Sequence, residues 1–276
     1  MKPLLKWAGG KRHIVTELVE RFPEGWKSGR YFEPFLGGGA VFLELEPETA
    51  TIADLNVRLV GFYKHVRENS QAVVEGIQQI AENFEAHSEE KKLEFYVGLR
   101  KDFNGMEPQS LESACSLYAI NKLCFNGLYR ENSKGEFNVP FGHKKMFPMI
   151  EASDFDTVSR ILKSTIILNC DFEDTVSESE SGDFVYFDPP YIPINVTSSF
   201  TSYQSSGFNL DDQKRLADLM RNLKKGGVNA MCSNSDTAQT REIFSNLNIQ
   251  QIQAPRMVSA KSSGRGHITE LVITNY

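Results

Sequence analysis

The sequence predicts an α/β fold: an open sheet with helices on both faces, interrupted by an inserted, mainly helical subdomain that carries a β-hairpin. Three observations predict it. Short apolar runs ending at Gly, Asp or Pro recur along the chain, as strands ending in functional turns do. The first of them leads through a glycine cluster into a helix-like segment, the opening of a strand–turn–helix unit. An insertion of roughly 90 residues with little strand character then lies between the second run and the third, too long for a simple crossover connection.

The elements follow in order. Arg30-Tyr31-Phe32-Glu33-Pro34-Phe35 reads as the first strand, Gly37-Gly38-Gly39 as the turn, and Ala40 to Leu45 as the helix. Thr51-Ile52-Ala53 is a second short strand ending at Asp54. From Val57 to Leu123 the pattern is helical, with Ala114, Leu117, Tyr118 and Asn121 on one stripe. Asn126 to Gly142 is rich in Gly, Asn and Ser and reads as a loop or hairpin. Sheet signals return at Thr165-Ile166-Ile167-Leu168 and at Asp183 to Phe187, which ends at Asp188-Pro189-Pro190-Tyr191. Asn209 or Asp211 caps a helix carrying Leu216, Leu219, Met220 and Leu223, stopped by Gly226-Gly227. Val228 to Cys232 and Glu270 to Ile273 read as the remaining strands. The domain expectation is a body of 1–56 and 146–276 with an inserted piece of 57–145.

Composition narrows the function classes. Of the 276 residues, 40% are hydrophobic and 24% charged, which suits a packed globular chain. No apolar run approaches a membrane span or a secretory signal, so the expectation is a soluble cytoplasmic protein without a membrane partner. Cys115, Cys124, Cys170 and Cys232 make no CxxC pair, and neither HExxH nor a calcium loop is present, so no metal is expected. The net charge of −6 argues against indiscriminate coating of nucleic acid. It is unevenly spread: Lys122, Arg130, Lys134, Lys144 and Lys145 face only Glu131 and Glu136, and Arg256, Lys261 and Arg265 form a stretch without acids.

Two segments carry chemistry. The glycine turn lets backbone approach a ligand closely. Asp54 stands at the end of the second strand, where a carboxylate can take a ribose diol, or it caps the following helix. Asp188-Pro189-Pro190-Tyr191 follows a buried-looking strand. Its prolines stiffen the turn and remove two N–H donors. What is left is an acceptor corner, the Asp188 carboxylate and the Pro189 carbonyl, suited to a planar amino group with two hydrogens. Tyr191 adds an aromatic face for a flat ring. Lys6 to Lys11, read alone, is a basic glycine-containing turn with a tryptophan.

Four blocks, in this order, resemble the Dam-type (class alpha) DNA adenine-N6 methyltransferases: Lys6-Trp7-Ala8-Gly9-Gly10-Lys11; Phe32-Glu33-Pro34-Phe35-Leu36-Gly37-Gly38-Gly39; Asn126-Gly127-Leu128-Tyr129-Arg130 through Gly135-Glu136-Phe137-Asn138-Val139-Pro140-Phe141-Gly142; and Asp188-Pro189-Pro190-Tyr191. The resemblance implies a Rossmann-like methyltransferase sheet, with 57–145 as the DNA-recognition subdomain. It implies S-adenosyl-L-methionine as cofactor, held by Trp7, Ala8, Gly9, Gly10, Lys11, Glu33, Phe35, Gly37, Gly39, Asp54, Phe172 and Asp188. Asp188, Pro189, Pro190 and Tyr191 would carry catalysis, their acceptors drawing the adenine amino nitrogen toward a pyramidal form that attacks the methyl group. Double-stranded DNA would be contacted by Lys6, Phe125, Asn126, Leu128, Arg130, Asn132, Lys134, Pro140 and Lys144. Phe125 stands where the family places an aromatic wedge, a tyrosine in many members; without the family it would read as core.

The resemblance is strongest to members that recognise GATC. It implies a monomer, with any restriction endonuclease a genetic rather than a physical partner. Phe200 and Tyr203 are placed to cover a flipped base or to anchor a loop, and Lys261 to His267 to hold DNA backbone. Two other readings stay open at this point. One is a methyltransferase acting on RNA or on a protein amide, where the motif usually begins with Asn. The other is a DNA-binding protein without catalysis, which would have no need of Asp188, Tyr191, Gly37 and Asp54 together.

Overall fold

The structure is a computed structural model and describes residues 1–192, 207–255 and 267–276. The predicted open α/β sheet is present. Its seven strands are β1 (Tyr31–Glu33), β2 (Ala50–Ala53), β3 (Thr165–Leu168), β4 (Phe184–Phe187), β5 (Asn229–Ser235), β6 (Asn248–Pro255) and β7 (His267–Thr274), in the order β3-β2-β1-β4-β5-β7-β6. β1 runs parallel to β2 and to β4, with Tyr31 opposite Ala50 on one side and Phe184 on the other. β4 is parallel to β5, whereas β7 is antiparallel to β5 and β6. The chain order reverses between β1 and β4, and open sheets bind ligands at the carboxyl ends of the strands at such a switch point.

The helices are α1 (Val15–Val19), α2 (Ala40–Leu45), α3 (Val57–Ala86), α4 (Lys92–Gly105), α5 (Leu111–Leu123), α6 (Ala152–Leu162), α7 (Phe172–Thr175), α8 (Leu210–Lys225) and α9 (Ala238–Ile243). α3 is interrupted at Asn69, which leaves helical geometry. Asn209, one of the two predicted caps, starts α8 in a reciprocal capping box with Asp212, and Gly227 follows its end at φ +76°. Five elements are not among the sequence expectations: the short helices α1, α7 and α9, the helix α6 and the strand β6. α6 buries Phe155, Val158, Ile161 and Leu162 on one face. β6 is a polar edge strand paired only along β7.

By contact density the chain forms two compact units: Met1–Gly10, Leu36–Glu46 and Ala53–Cys170 in the first, and Lys11–Phe35, Pro47–Ile52 and Asp171–Tyr276 in the second. The first is mainly helical, with Phe62, Tyr63, Phe84, Tyr96 and Phe103 fully buried. The second contains a core cluster of Phe32, Val185, Phe187, Leu216, Met220 and Ile273 under the sheet. Among the described residues no helix is long and apolar enough to cross a membrane.

Candidate active site and nucleic-acid interface

In the second unit, β4 delivers Asp188 to the carboxyl edge of the sheet, beside the end of β1. Its strand residues Phe184 to Phe187 are buried, so the chain emerges from the core at the predicted corner. The Asp188 side chain is 20% exposed, and its Oδ1 is 2.8 Å from Lys11 Nζ, itself nearly inaccessible. Burial pushes the Asp188 carboxyl above its ordinary range, and the Lys11 charge opposes that rise. The Lys11 ammonium also lies 4.6 Å from the centroid of the Tyr191 ring. The Tyr191 hydroxyl donates to Glu270 Oε2 at 2.7 Å, and burial pushes it well above the usual phenol value.

The prolines are held from behind. Gln213 on α8 donates to the Pro190 carbonyl at 2.8 Å and accepts from Asn234 Nδ2 at 3.0 Å. Asn234 Oδ1 in turn accepts the Ile192 N–H at 3.4 Å. Glu270, Gln213 and Asn234 were not singled out from the sequence. The available signal was polarity in buried elements: Gln213 and Asn234 are fully inaccessible. Glu33 is buried and accepts from the Tyr31 hydroxyl at 2.6 Å. Phe35 stacks on Phe172 at 5.5 Å between ring centroids, and the Arg215 guanidinium is 4.8 Å from the Phe172 ring. Phe172 is 3% exposed, so it forms part of a wall rather than an open stacking face.

In the first unit, the glycine turn and Asp54 are directly joined. Asp54 Oδ2 accepts the Gly37 N–H at 2.9 Å, and Oδ1 accepts the Asn56 N–H at 2.8 Å. The helix cap that Asp54 could have supplied comes from Asn56, whose side chain accepts from Leu59 N–H at 3.0 Å. Asp54 is thereby left with acceptor capacity on both oxygens. Gly37 has φ +50°, and a Cβ there would lie 2.8 Å from Trp7 Cδ1, so the turn requires glycine. Trp7 stacks on Tyr129, centroids 4.8 Å apart and planes 21° from parallel. Ala8, Gly9 and Gly10 are exposed beside it. Gly39 is buried at φ +67° as the cap of α2.

The predicted hairpin is two isolated antiparallel bridges, Cys124 with Phe141 and Glu131 with Phe137. Asn132 makes its tip: Oδ1 accepts the Lys134 and Glu136 N–H groups at 2.9 and 3.0 Å, and Nδ2 donates to the Glu136 carboxylate at 2.8 Å. Arg130 is exposed, with Nε donating to Asn138 Oδ1 at 2.7 Å. α4 braces the returning strand. Tyr96 and Arg100 donate to the Val139 carbonyl at 2.8 and 3.2 Å. Asn104 donates to the Phe137 carbonyl at 3.1 Å and accepts its N–H at 2.8 Å. A cavity of about 480 Å³ lies here, lined by Arg100, Lys101, Asn104, Asn132 and Asn138 among others.

Phe125 is 51% exposed, the opposite of a core ring. Asn126 beside it adopts φ +57°, and the Phe125 N–H is taken by the Pro140 carbonyl at 2.9 Å. Lys6, Lys134, Pro140 and Lys144 are exposed and Leu128 is half-buried. Lys6, Phe125, Asn126, Leu128, Arg130, Asn132, Lys134, Pro140 and Lys144 therefore fall in the first unit with Trp7, the glycine turn and Asp54. The second unit gathers Lys11, Glu33, Phe35, Phe172 and the Asp188 corner. Phe200, Tyr203, Arg256, Lys261 and Arg265 lie outside the described residues.

Comparison with known proteins gives one family. The model for the D12 class N6 adenine-specific DNA methyltransferases matches residues 7–258. A Type II methyltransferase of Lactococcus lactis subsp. cremoris, M1.LlaDCHI, is 41% identical over 281 residues, covering 100% of this chain and 96% of the relative. A second, M.MjaIII of Methanocaldococcus jannaschii, is 41% identical over 287 residues, covering 100% and 99%. A DNA adenine methylase of Vibrio cholerae is 35% identical over 276 residues, covering 98% and 95%.

Proposed function

We propose that this chain, which belongs to the D12 class of N6 adenine-specific DNA methyltransferases, takes its methyl group from S-adenosyl-L-methionine, acts on an adenine turned out of the duplex, and selects GATC. That it is an adenine-specific DNA methyltransferase, with DNA as substrate, follows from the family. The donor, the extrusion and the site are our reading, together with a monomeric state and the assignment of 57–145 to target recognition.

One observation carries the reading: the half-buried Asp188 carboxylate, fixed at a strand end by Lys11 and followed by two prolines that offer carbonyls but no N–H groups. The Asp188 carboxylate and the Pro189 carbonyl accept the two N–H bonds of the adenine amino group. As that nitrogen becomes positive in the transition state, Asp188 stabilises it, and Lys11 keeps Asp188 ionised beforehand. Gln213 and Glu270 hold Pro190 and Tyr191, so little reorganisation is left for the reaction itself. A base inside the stack cannot reach such a corner, which is the argument for extrusion. The exposed ring of Phe125 is suited to fill the space left in the stack.

The residues fit the proposed cofactor. Asp54 offers two acceptors to a diol, and the close packing of Gly37 on Trp7 leaves backbone, not side chain, facing a ligand at the turn. When bound, S-adenosylmethionine supplies a methyl group on a positively charged sulfur, open to in-line attack.

The test is transfer of labelled methyl groups to an unmethylated GATC duplex, with nucleoside analysis of the product and Asp188→Ala as control. The expected product is N6-methyladenine at GATC, absent with the variant. Label in duplexes lacking GATC at an equal rate overturns the site, and no label in any duplex overturns the reading.

A further inference from the structure

A buried polar residue of the first unit lies behind both the proposed cofactor segment and the proposed reading turn. Asn121, near the end of α5, is 1% exposed. Its carboxamide makes three hydrogen bonds, two to Lys6, far away in sequence, and one to Gly127, just beyond the helix. Oδ1 accepts the Lys6 N–H at 2.9 Å, and Nδ2 donates to the Lys6 carbonyl at 2.9 Å and to the Gly127 carbonyl at 3.2 Å. The same two segments meet twice more. A Cβ on Gly127, at φ +67°, would lie 2.5 Å from Lys6 Cδ, so the turn and the Lys6 side chain are in close contact. Trp7, the next residue, stacks on Tyr129. Trp7 is also the residue against which Gly37 packs. Next to Asn121, Lys122 donates to the Leu4 carbonyl at 2.7 Å, so the end of α5 fixes the N-terminal segment at two points.

We propose that Asn121 is a positioning residue for both halves of the reaction: its carboxamide locks the Lys6–Trp7 segment to the Phe125–Leu128 turn, so that one joint sets the cofactor-side tryptophan and the base-reading loop together. This rests on the function proposed above. Asn121 itself touches neither ligand. A buried amide that bonds backbone on both sides has no apolar substitute, because removing it leaves two carbonyls and an N–H without partners. Tyr129 is the second contact of the joint, and its ring rather than its hydroxyl is what Trp7 meets.

The experiment compares wild type with Asn121→Ala, Tyr129→Leu and Tyr129→Phe, and with Val73→Ala as a matched core destabilisation. For each, thermal unfolding, S-adenosylhomocysteine affinity, and the ratio of kcat/KM between the best-methylated duplex and its single-base variants are measured below the unfolding transition. Asn121→Ala is expected to weaken S-adenosylhomocysteine binding and to lower the discrimination ratio, each by about tenfold, the loss set by unpaired backbone groups. Tyr129→Leu is expected to move both quantities in the same direction and Tyr129→Phe neither. Val73→Ala is expected to lower thermal stability and leave both quantities in place.

If Asn121→Ala does not fold, the two Tyr129 variants decide alone. Stability loss with unchanged binding and discrimination, or a change in only one of them, overturns the joint. Failure of the functional reading is seen separately, in a wild-type protein that neither binds S-adenosylhomocysteine nor methylates duplex DNA, and it removes the proposal with it.

Discussion

At the scale of single residues, the proposed chemistry turns on the protonation of Asp188. A carboxyl taken partly out of water resists ionisation, and an ammonium at 2.8 Å resists protonation; the balance leaves Asp188 above its ordinary value. In the proposed mechanism the ionised form is the stronger acceptor for the adenine amino group and the one that stabilises positive charge on it. A raised value means that the proton returns at higher pH during acidification. The acid limb of kcat, at saturating cofactor and DNA, is therefore expected above the ordinary aspartate value of about 3.9. Lys11→Met removes the opposing charge, so its residual activity should fall off at still higher pH. A limb at or below the ordinary value, or one unmoved in Lys11→Met, would count against the pair. Tyr191 is separable into ring and hydroxyl. Tyr191→Phe loses only the hydrogen bond to Glu270 and is expected to cost kcat less than about tenfold, a single hydrogen bond's worth. Tyr191→Ala loses the ring too and is expected to fall further in the same methyl-transfer assay.

At the scale of elements, the hairpin proposed to read DNA owes little to its own ladder. Two isolated bridges and an Asn132 tip would be marginal alone, and three side chains of α4, one turn apart at Tyr96, Arg100 and Asn104, hold its returning strand. Arg130 is pre-aligned by Asn138 on that strand. Arg130→Ala is expected to cost about 1–3 kcal/mol of discrimination at one base position. It is checked by comparing kcat/KM on duplexes altered one base at a time; a flat profile change would exclude a reading role.

The hairpin was legible in the sequence because Gly, Asn and Ser concentrate between Asn126 and Gly142. Its brace was not: Asn104 precedes Phe137 by 33 residues, and nothing local marks that pairing. The same distinction runs through the fold. Asp188 and the glycine turn were legible because prolines and glycines restrict backbone locally. β6, Asn-Ile-Gln-Gln-Ile-Gln, was not, because a polar edge strand is made by its neighbour and not by its own pattern. α6 did carry a readable apolar stripe at Phe155, Val158 and Leu162, which the roughly helical length assigned to the insertion stopped short of.

At the scale of the whole molecule, a chain of net charge −6 must bind a polyanion. Among the described residues, the proposed hairpin and wedge contacts lie in the first unit, and the exposed cations Lys6, Arg130, Lys134 and Lys144 are among them. In a chain of net negative charge, affinity should depend on a few such cations and fall steeply when one is lost. Each phosphate contact releases condensed counterions and contributes about −0.9 to the slope of log K against log salt. Lys134→Ala is expected to weaken binding to all duplexes alike and to make that slope shallower by about 1, as loss of a phosphate contact does. Arg130→Ala differs in kind, since it should relax sequence preference whatever it does to the slope. Titrating cognate and non-cognate duplexes across a salt series separates the two. An unchanged slope in Lys134→Ala would remove that lysine from the phosphate path, and a sequence-dependent loss would make it a reader instead.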